Sequence, residues 1–321
     1  MKLTMRRYQE EDDYWHIRDF LRQVFLRNDR RELCWQAYRF DYWRWHGIEN
    51  LGQGPLEETV FIWETPEGQM AAVLNPENTG VVFLQVHPAF RTPGLEEEMI
   101  AVAEQNLTRP QPSGERKLWV FANERDDVRQ GILLRRGFTL RDIQENQNRQ
   151  SLLAPIPAAP LAEGYVVRPL GDVDELPARS WVSWKAFHPD APDERYEGWE
   201  WYHNIQRCPL YRRDLDIVAV ASTGEFAAFC TVWFDDVTRT GSFEPVGVHP
   251  DHQRRGLGRT VMYEGLRRLK KLGATLACVG SEAPNAFAFY TSIGFESRDV
   301  ARPWAKEWRA DDVKRIRKGR K

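Results

Sequence analysis

Residues 246–260 read VGVHPDHQRRGLGRT and decide how the second half of the chain folds. The stretch begins as an apolar strand, turns at His249 and Pro250, and continues through a basic loop with glycines into the amphipathic segment EGLRRLKKLG. The first turn of a helix leaves backbone N–H groups unpaired and carries the positive end of the helix dipole. A strand, a loop and a helix start in this order therefore predict a site that binds a phosphate.

The residue types in the loop favour a pyrophosphate ligand. Gly256 and Gly258 let the backbone approach an anion closely and adopt positive φ. Three arginines add positive charge around the same point: Arg254, Arg255 and Arg259. Two widespread phosphate loops do not fit, because no GxxxxGK[ST] is present and position 261 is Val where GxGxxG needs its third glycine.

The six residues QRRGLG, at 253–258, fit the pattern Q/R-x-x-G-x-G/A of the GCN5-related N-acetyltransferases, and a Y-x-x-x-G-F element follows at 290–295. The chain resembles that family. The resemblance implies an α/β fold with a mixed sheet, in which the loop amides hold the pyrophosphate of acetyl-coenzyme A and the preceding strand pairs with the pantetheine arm. It assigns ten residues to coenzyme binding: Val246, Val248, Gln253, Arg254, Arg255, Gly256, Leu257, Gly258, Arg259 and Asn285.

The resemblance also indicates catalytic residues. Tyr290 matches the family tyrosine that is assigned as general acid towards the leaving thiolate, although an aromatic ring in a packing role is the alternative. Glu244, the carboxylate on the central strand, is the candidate general base, with a solvated glutamate as the alternative. Asn285 stands five residues before Tyr290 where the family usually has seven, so a helix N-cap is its alternative role.

Length and composition predict the broad class of protein. A chain of 321 residues is long for one domain, so two are expected. The net charge of -2 gives no reason to expect a nucleic-acid or membrane partner. No apolar run approaches the length of a membrane span, which favours a cytoplasmic protein. We expect a monomer or a homodimer. Four scattered cysteines predict reduced, largely buried thiols and no metal site: Cys34, Cys208, Cys230 and Cys278.

The chain repeats itself at a separation of 162 residues. FLQVHPAFRTPGLEEEM, from Phe83, aligns without a gap onto the second-half stretch, so that His87 matches His249. We therefore expect two tandem acetyltransferase folds, at 1–151 and 165–303, joined by a proline-rich linker at 152–164 and followed by a basic tail at 304–321. Since the His-Pro turn recurs in both copies, His249 is expected to make a structural hydrogen bond.

The first copy has lost the features of the site. Glu96 stands where Gly258 stands, Pro93 removes an amide donor at the position of Arg255, and Leu133 takes the place of Tyr290. We expect this degenerate copy to bind no coenzyme.

The sequence thus predicts an N-acetyltransferase that moves an acetyl or short acyl group to an amine, with a small-molecule acceptor favoured over a protein. Two rival functions are a tandem aminoacyl transferase that takes its acyl group from tRNA and a non-catalytic sensor of acyl-coenzyme A. The intact pyrophosphate loop and the nearly neutral charge count against the first rival, and Tyr290 counts against the second.

Overall fold

A computed structural model of the protein describes residues 2–110, 112, 114–158 and 161–309, except for the side chains of Ser297 and Arg298. The chain forms two compact units. The first unit contains residues up to Asn146 together with the chain from Arg298 onward, and the second contains residues 147–297. No helix among the described residues is long and apolar enough to cross a membrane.

The strands are numbered in chain order. They are β1 (Thr4–Arg7), β2 (Phe61–Glu64), β3 (Met70–Asn78), β4 (Val81–Val86), β5 (Arg109–Pro110), β6 (Arg116–Asn123), β7 (Thr139–Leu140), β8 (Glu145–Ser151), β9 (Tyr165–Pro169), β10 (Asp216–Ala221), β11 (Phe226–Asp235), β12 (Thr240–Val248), β13 (Leu276–Ser281) and β14 (Glu296–Trp308).

The helices are numbered in the same way. They are α1 (Glu11–Arg27), α2 (Ala37–Tyr42), α3 (Leu56–Thr59), α4 (Pro93–Asn106), α5 (Asp127–Arg135), α6 (Leu176–Phe187), α7 (Tyr202–Gln206), α8 (Leu257–Lys271) and α9 (Pro284–Ser292). A π-helical stretch, Trp43–Ile48, follows α2.

Each unit is built on a mixed sheet. In the first unit the strand order is β1-β2-β3-β4-β6-β14, in which β4 and β6 are parallel. In the second unit the order is β8-β13-β12-β11-β10-β9, in which β12 and β13 are parallel. The predicted mixed α/β fold is confirmed.

Helix α8 shows how the sequence produces the core of the second unit. Its buried apolar residues recur at helical spacing on one side, as Leu257, Val261, Leu266 and Leu269 illustrate. They join one apolar cluster with the buried side chains of β11 and β12. Basic residues fill the last turn of the helix, where the dipole favours positive charge.

The predicted repeat is visible in matching polar contacts. The guanidinium of Arg6 donates to Asp13 at 2.7 Å in the first unit, and that of Arg168 donates to Glu175 at 2.6 Å in the second. These two pairs are related by the separation that relates the His-Pro turns, so the repeat preserves side-chain contacts as well as strand order.

One predicted helix is wrong in its extent. The sequence pattern predicts a helix over residues 195–205, but the structure has a 3₁₀ turn at Asp193–Arg195 and a helix only at Tyr202–Gln206. Gly198 lies between them with φ of 100°, a left-handed conformation that an α-helix does not contain.

The last strand is longer than the sequence predicts. We expected a strand over residues 295–300 and a tail from 304, but β14 continues to Trp308 and pairs with β6 of the first unit from Ala301 to Trp308. Alternation along PWAKEW, which places Trp304 and Trp308 on one face, favours this extension. The basic run KRIRKGRK, at 314–321, lies outside the described residues.

The four cysteines are free, as the sequence predicted. Cys208, Cys230 and Cys278 are buried, and Cys34 is half-buried.

Candidate functional site

A cavity of about 800 Å³ lies in the second unit, where the end of β12 meets the starts of α8 and α9. Eleven of the twelve predicted site residues line it, and Glu244 is the exception. The eleven are Val246, Val248, Gln253, Arg254, Arg255, Gly256, Leu257, Gly258, Arg259, Asn285 and Tyr290.

The loop before α8 has the geometry of an anion site. Gly256 is the N-cap residue of α8 and adopts φ of 77°, which a glycine adopts without strain. The first N–H that pairs with its carbonyl belongs to Thr260, at 3.1 Å. The backbone N–H groups of residues 257–259 therefore have no acceptor within the helix, and these residues line the cavity.

Arg254 holds its backbone at φ of 62°, in the left-handed region that side chains other than glycine rarely adopt. Strain of this kind is concentrated at ligand-binding turns. Here it lies two residues before the N-cap glycine of α8.

The loop carries positive charge that no described carboxylate neutralises. Arg254, Arg255 and Arg259 form no ion pair with the residues that the structure describes. Arg255 donates to the carbonyl of Asp251 at 3.4 Å, and Arg259 donates to Ser292 Oγ at 3.4 Å. Three unneutralised guanidinium groups at a helix N-terminus favour a ligand with more than one negative charge.

Strand β12 has a free edge next to the cavity. It pairs with β11 up to Val248, but its parallel ladder with β13 covers only Thr240 to Ser242 in the described chain. Beyond that ladder Val246 and Val248 line the cavity, where an extended ligand can lie along the strand.

Gly258 is closely surrounded. A Cβ atom at this position would lie 3.3 Å from Phe289 Cζ and 3.3 Å from Val248 Cγ2, so a larger side chain would displace one of the cavity walls.

Tyr290 is a buried hydroxyl in the cavity wall, with 8% of the residue exposed. Burial, and to a smaller extent the negative charge of Glu244, raise the pKa of Tyr290 to about 12. The hydroxyl makes no hydrogen bond to a described residue. It therefore keeps its proton throughout the neutral range and has that proton available for a ligand.

Glu244 lies on β12 but outside the cavity lining. Its side chain is exposed, and its carbonyl accepts the indole N–H of Trp233 at 2.5 Å. The bond between Glu244 and Pro245 is cis. The carboxylate is near enough to raise the pKa of Tyr290, but it does not face the cavity directly.

Asn285 lies in the first turn of α9 and lines the cavity. Its Oδ1 accepts the N–H of Ala286 at 2.9 Å, while the N-cap residue of the helix is Ala283. The alternative that Asn285 is the helix N-cap is therefore wrong.

The sequence missed several cavity residues: Leu161, Ala162, Ala186, Gly247, Thr260, Ala286 and Phe289. The sequence pattern favours a packing role for Phe289, but its position one residue before Tyr290 could have indicated the cavity. Leu161 and Ala162 belong to the predicted linker, where no motif marks them.

His249 makes the expected structural hydrogen bond. Its Nδ1 accepts the N–H of Asp251 at 3.3 Å, and His87 Nδ1 accepts the N–H of Ala89 at 3.2 Å in the first unit. In both copies the histidine caps a short 3₁₀ turn.

A group with metal-ligating side chains lies beside this turn. Ligand atoms of Glu225, His249 and His252 lie within 4.8 Å of one another. His252 already bonds Glu225 at 3.1 Å and the Tyr165 hydroxyl at 2.8 Å, and His249 uses Nδ1 for the turn. These hydrogen bonds account for the arrangement without an ion.

Half-buried aromatic side chains lie on α6, whose Ala186 lines the cavity. Trp181 and Trp184 stack with ring centroids 5.5 Å apart, and Tyr196 meets Trp181 edge-on at 5.1 Å. Lys185 Nζ lies 5.7 Å from each indole. This group can present flat apolar faces to a ligand.

The corresponding loop of the first unit is occupied by its own side chains. Glu96, fully buried, accepts hydrogen bonds from Arg91 at 2.6 Å and from Arg129 at 3.0 Å. Burial alone would raise the pKa of Glu96, but attraction to Arg129 and hydrogen bonds from both arginines lower it to about 2. Leu133, at the position of Tyr290, is fully buried.

Comparison with known proteins identifies the class. The family model described as "Acetyltransferase (GNAT) family" matches residues 174–295, within the second unit. The chain is 24% identical over 255 residues to mycothiol acetyltransferase of Pseudarthrobacter chlorophenolicus, a match that covers 73% of this chain and 72% of that protein.

Two solved structures are similar over almost the whole chain. A GCN5-related N-acetyltransferase from Sphaerobacter thermophilus has a TM-score of 0.65 at 18% identity and covers 95% of both chains. A tandem GNAT protein from the clavulanic acid biosynthesis pathway has a TM-score of 0.65 at 16% identity and covers 95% of this chain and 98% of that chain.

The fold and the comparisons define the protein as an acetyl-CoA-dependent N-acetyltransferase. Residues 174–295 belong to the acetyltransferase (GNAT) family, and the whole chain has the fold of a tandem GNAT protein.

Proposed function

We propose that the second unit transfers an acetyl or short acyl group from coenzyme A to the amine of a small molecule, and that the first unit does no chemistry. One observation carries this proposal: a protonated, buried hydroxyl, that of Tyr290, lies in the same cavity as the unneutralised anion loop. One end of the cavity suits a diphosphate and the other supplies an acid.

In this proposal the loop amides of residues 257–259 hold the pyrophosphate, and the free edge of β12 aligns the pantetheine arm. The amine nitrogen attacks the thioester carbonyl carbon, and the carbon–sulphur bond breaks. Tyr290 donates its proton to the leaving thiolate and recovers one from solvent. Because its pKa is about 12, the phenol still carries its proton at neutral pH when the thiolate leaves.

The amine must lose a proton during attack, and Glu244 remains the candidate base. Its exposed position favours relay through water rather than direct contact. Glu244→Gln should lower turnover by about tenfold at neutral pH if the carboxylate is the base. An unchanged rate would assign this step to water or to an amine that is already neutral.

The acceptor is proposed to be small because the relative is named for mycothiol, and because the stacked Trp181 and Trp184 lie on α6, the helix whose Ala186 lines the cavity. The test is acetyl-coenzyme A turnover across four acceptor classes: aminoglycoside antibiotics, polyamines, amines of thiol cofactors, and protein N-terminal peptides. Thiol release gives the rate, with mass spectrometry for acceptors that carry a thiol. Turnover of peptides alone, or of no class, would contradict the proposal.

A further inference from the structure

The segment that joins the two repeats, residues 152–164, is fixed at both ends within the second unit. Leu152 is 1% exposed, and its N–H donates to the carbonyl of Thr275 at 3.0 Å. At the other end the carbonyl of Gly164 accepts the N–H of Ser222 at 2.7 Å. The described part of the segment is therefore a fixed element of this unit, although its prolines keep it extended.

The described residues of the segment contact helix α8 near its last turn and line the cavity near its first. Lys270, near the C-terminus of the helix, donates to the carbonyls of Leu153 at 3.0 Å and Ala154 at 2.6 Å. Arg267, one turn earlier, donates to the carbonyl of Pro157 at 3.3 Å. The segment thus runs along the helix towards the phosphate loop.

At the first turn of α8 the segment becomes a wall of the coenzyme cavity. Leu161 and Ala162 line the cavity together with Arg255 and Leu257. Leu161 is 44% exposed, although it is a large apolar side chain. The guanidinium of Arg255 lies 6.0 Å from the ring of Tyr165, the first residue of β9.

The part of the cavity wall that Leu161 forms lies within reach of a nucleoside attached to the pyrophosphate. Leu161 and Ala162 line the same cavity as the loop residues 255–257, where the pyrophosphate is proposed to bind. An adenine ring has a flat apolar face that can cover an exposed leucine.

We propose that the inter-repeat segment binds the adenosine end of the coenzyme, with Leu161 as the residue that contacts it. This inference rests on the proposed coenzyme site. Leu161 is a positioning residue that changes coenzyme affinity and takes no part in acyl transfer.

The test measures the binding of two probes to the full chain by titration calorimetry: acetyl-coenzyme A, and S-acetyl-4′-phosphopantetheine, which lacks the nucleotide. Leu161→Ser should raise the Kd for acetyl-coenzyme A about fivefold and leave the Kd of the shorter probe unchanged. The KM for acetyl-coenzyme A should rise with kcat unaltered. Leu153→Ser is the matched control, since Leu153 is 78% exposed in the same segment and outside the cavity.

The outcomes distinguish a failure of the adenosine assignment from a failure of the proposed function. If Leu161→Ser weakens both probes equally, or neither, the adenosine assignment is overturned. If the wild-type chain binds no acetyl-coenzyme A, the proposed function itself fails. Unchanged binding of the shorter probe also shows that the variant is folded.

Discussion

The loops before α8 and before α4 occupy the same place in the two repeats and satisfy their helix N-termini in opposite ways. The second-unit loop leaves amides and arginines open to the cavity. In the first unit the Thr92 hydroxyl accepts the N–H of Leu95 at 3.2 Å, Pro93 has no N–H, and Glu96 takes the two arginines. In the first unit a carboxylate of the chain itself thus lies at the helix start where the second unit leaves room for an anion.

Glu96 holds one arginine of the first loop, Arg91, and one arginine of α5, Arg129. Arg129 is 6% exposed, and without Glu96 this buried charge would keep only its longer contact with Asp126, at 3.9 Å. The carboxylate at the start of α4 is therefore held in place by charges of its own unit.

The largest expected effect comes from separating the units at the boundary that the sequence suggests. A fragment of residues 161–321 lacks Leu152 and also β8, where Asn148 donates to Val279 and Ser281 at 3.0 Å each. It also keeps residues 298–308 without β6. We expect no cooperative thermal unfolding and no acetyl-coenzyme A turnover. A fragment of residues 147–297 is the control, and it should unfold cooperatively.

The predicted failure of the 161–321 fragment would be contradicted if this fragment were monomeric, as stable as the full chain and equally active. Circular dichroism and size-exclusion chromatography measure both fragments on the same scale.

Gly258→Glu should convert the second loop into the type found in the first. The new side chain meets Phe289 and Val248 and adds negative charge at the anion site, so we expect acetyl-coenzyme A affinity to fall by about 10³-fold or more. Titration calorimetry on the wild type should give one coenzyme per chain. Gly94→Glu is the control in the first unit, because Gly94 has open space around its Cβ position. A stoichiometry near two would refute the comparison.

Glu96→Gln should destabilise the first unit by about 3 kcal/mol at neutral pH, since it removes the charge that pairs with Arg129. The folded pKa of about 2 lies below the ordinary 4.5. Stabilisation by the carboxylate is therefore complete above pH 4.5 and is lost as the pH falls towards 2.

Urea unfolding of the wild type and of Glu96→Gln at pH 7 and pH 3 measures this difference, which should shrink at the lower pH. Glu97→Gln, at a side chain that is 46% exposed, should change stability by less than about 0.5 kcal/mol. Coenzyme stoichiometry should stay at one in Glu96→Gln. An equal loss of stability in the two variants would show that burial of Glu96 is unimportant.

Tyr290→Phe should lower turnover by about 10²-fold with little change in coenzyme Kd, because it removes a proton donor and keeps the ring. Leu133 in the first unit already lacks this hydroxyl. Stopped-flow and steady-state rates between pH 6 and 9 give the readout. Turnover within about twofold of the wild type would make Tyr290 a packing residue.

The local motifs were predictable because they depend on neighbours in sequence. The loop at 253–258 and the helix after it follow from glycine positions and apolar spacing, and the pattern also placed Val246 and Tyr290 at one cavity. The ion pairs of Glu96 with Arg91 and Arg129 were not predictable from the sequence. They require contact between α4 and α5, and neither sequence segment specifies this contact.

The sequence pattern also does not predict the boundary between the two units. Proline-rich composition predicts an extended segment, but it does not show that Lys270 and Arg267 bind that segment to α8. Likewise, the alternation in residues 303–308 predicts a strand without naming β6 as its partner. Both outcomes depend on contacts between residues distant in sequence.

The pairing of β14 with β6 has a consequence for how the protein is made. The ribosome synthesises a chain from its N-terminus. The first unit therefore emerges before the strand that pairs with β6, since that strand lies after residue 297. The entire second unit is translated before that partner arrives. The N-terminal repeat therefore completes its sheet last, and until then its β6 edge is exposed to wrong pairing and to chaperones.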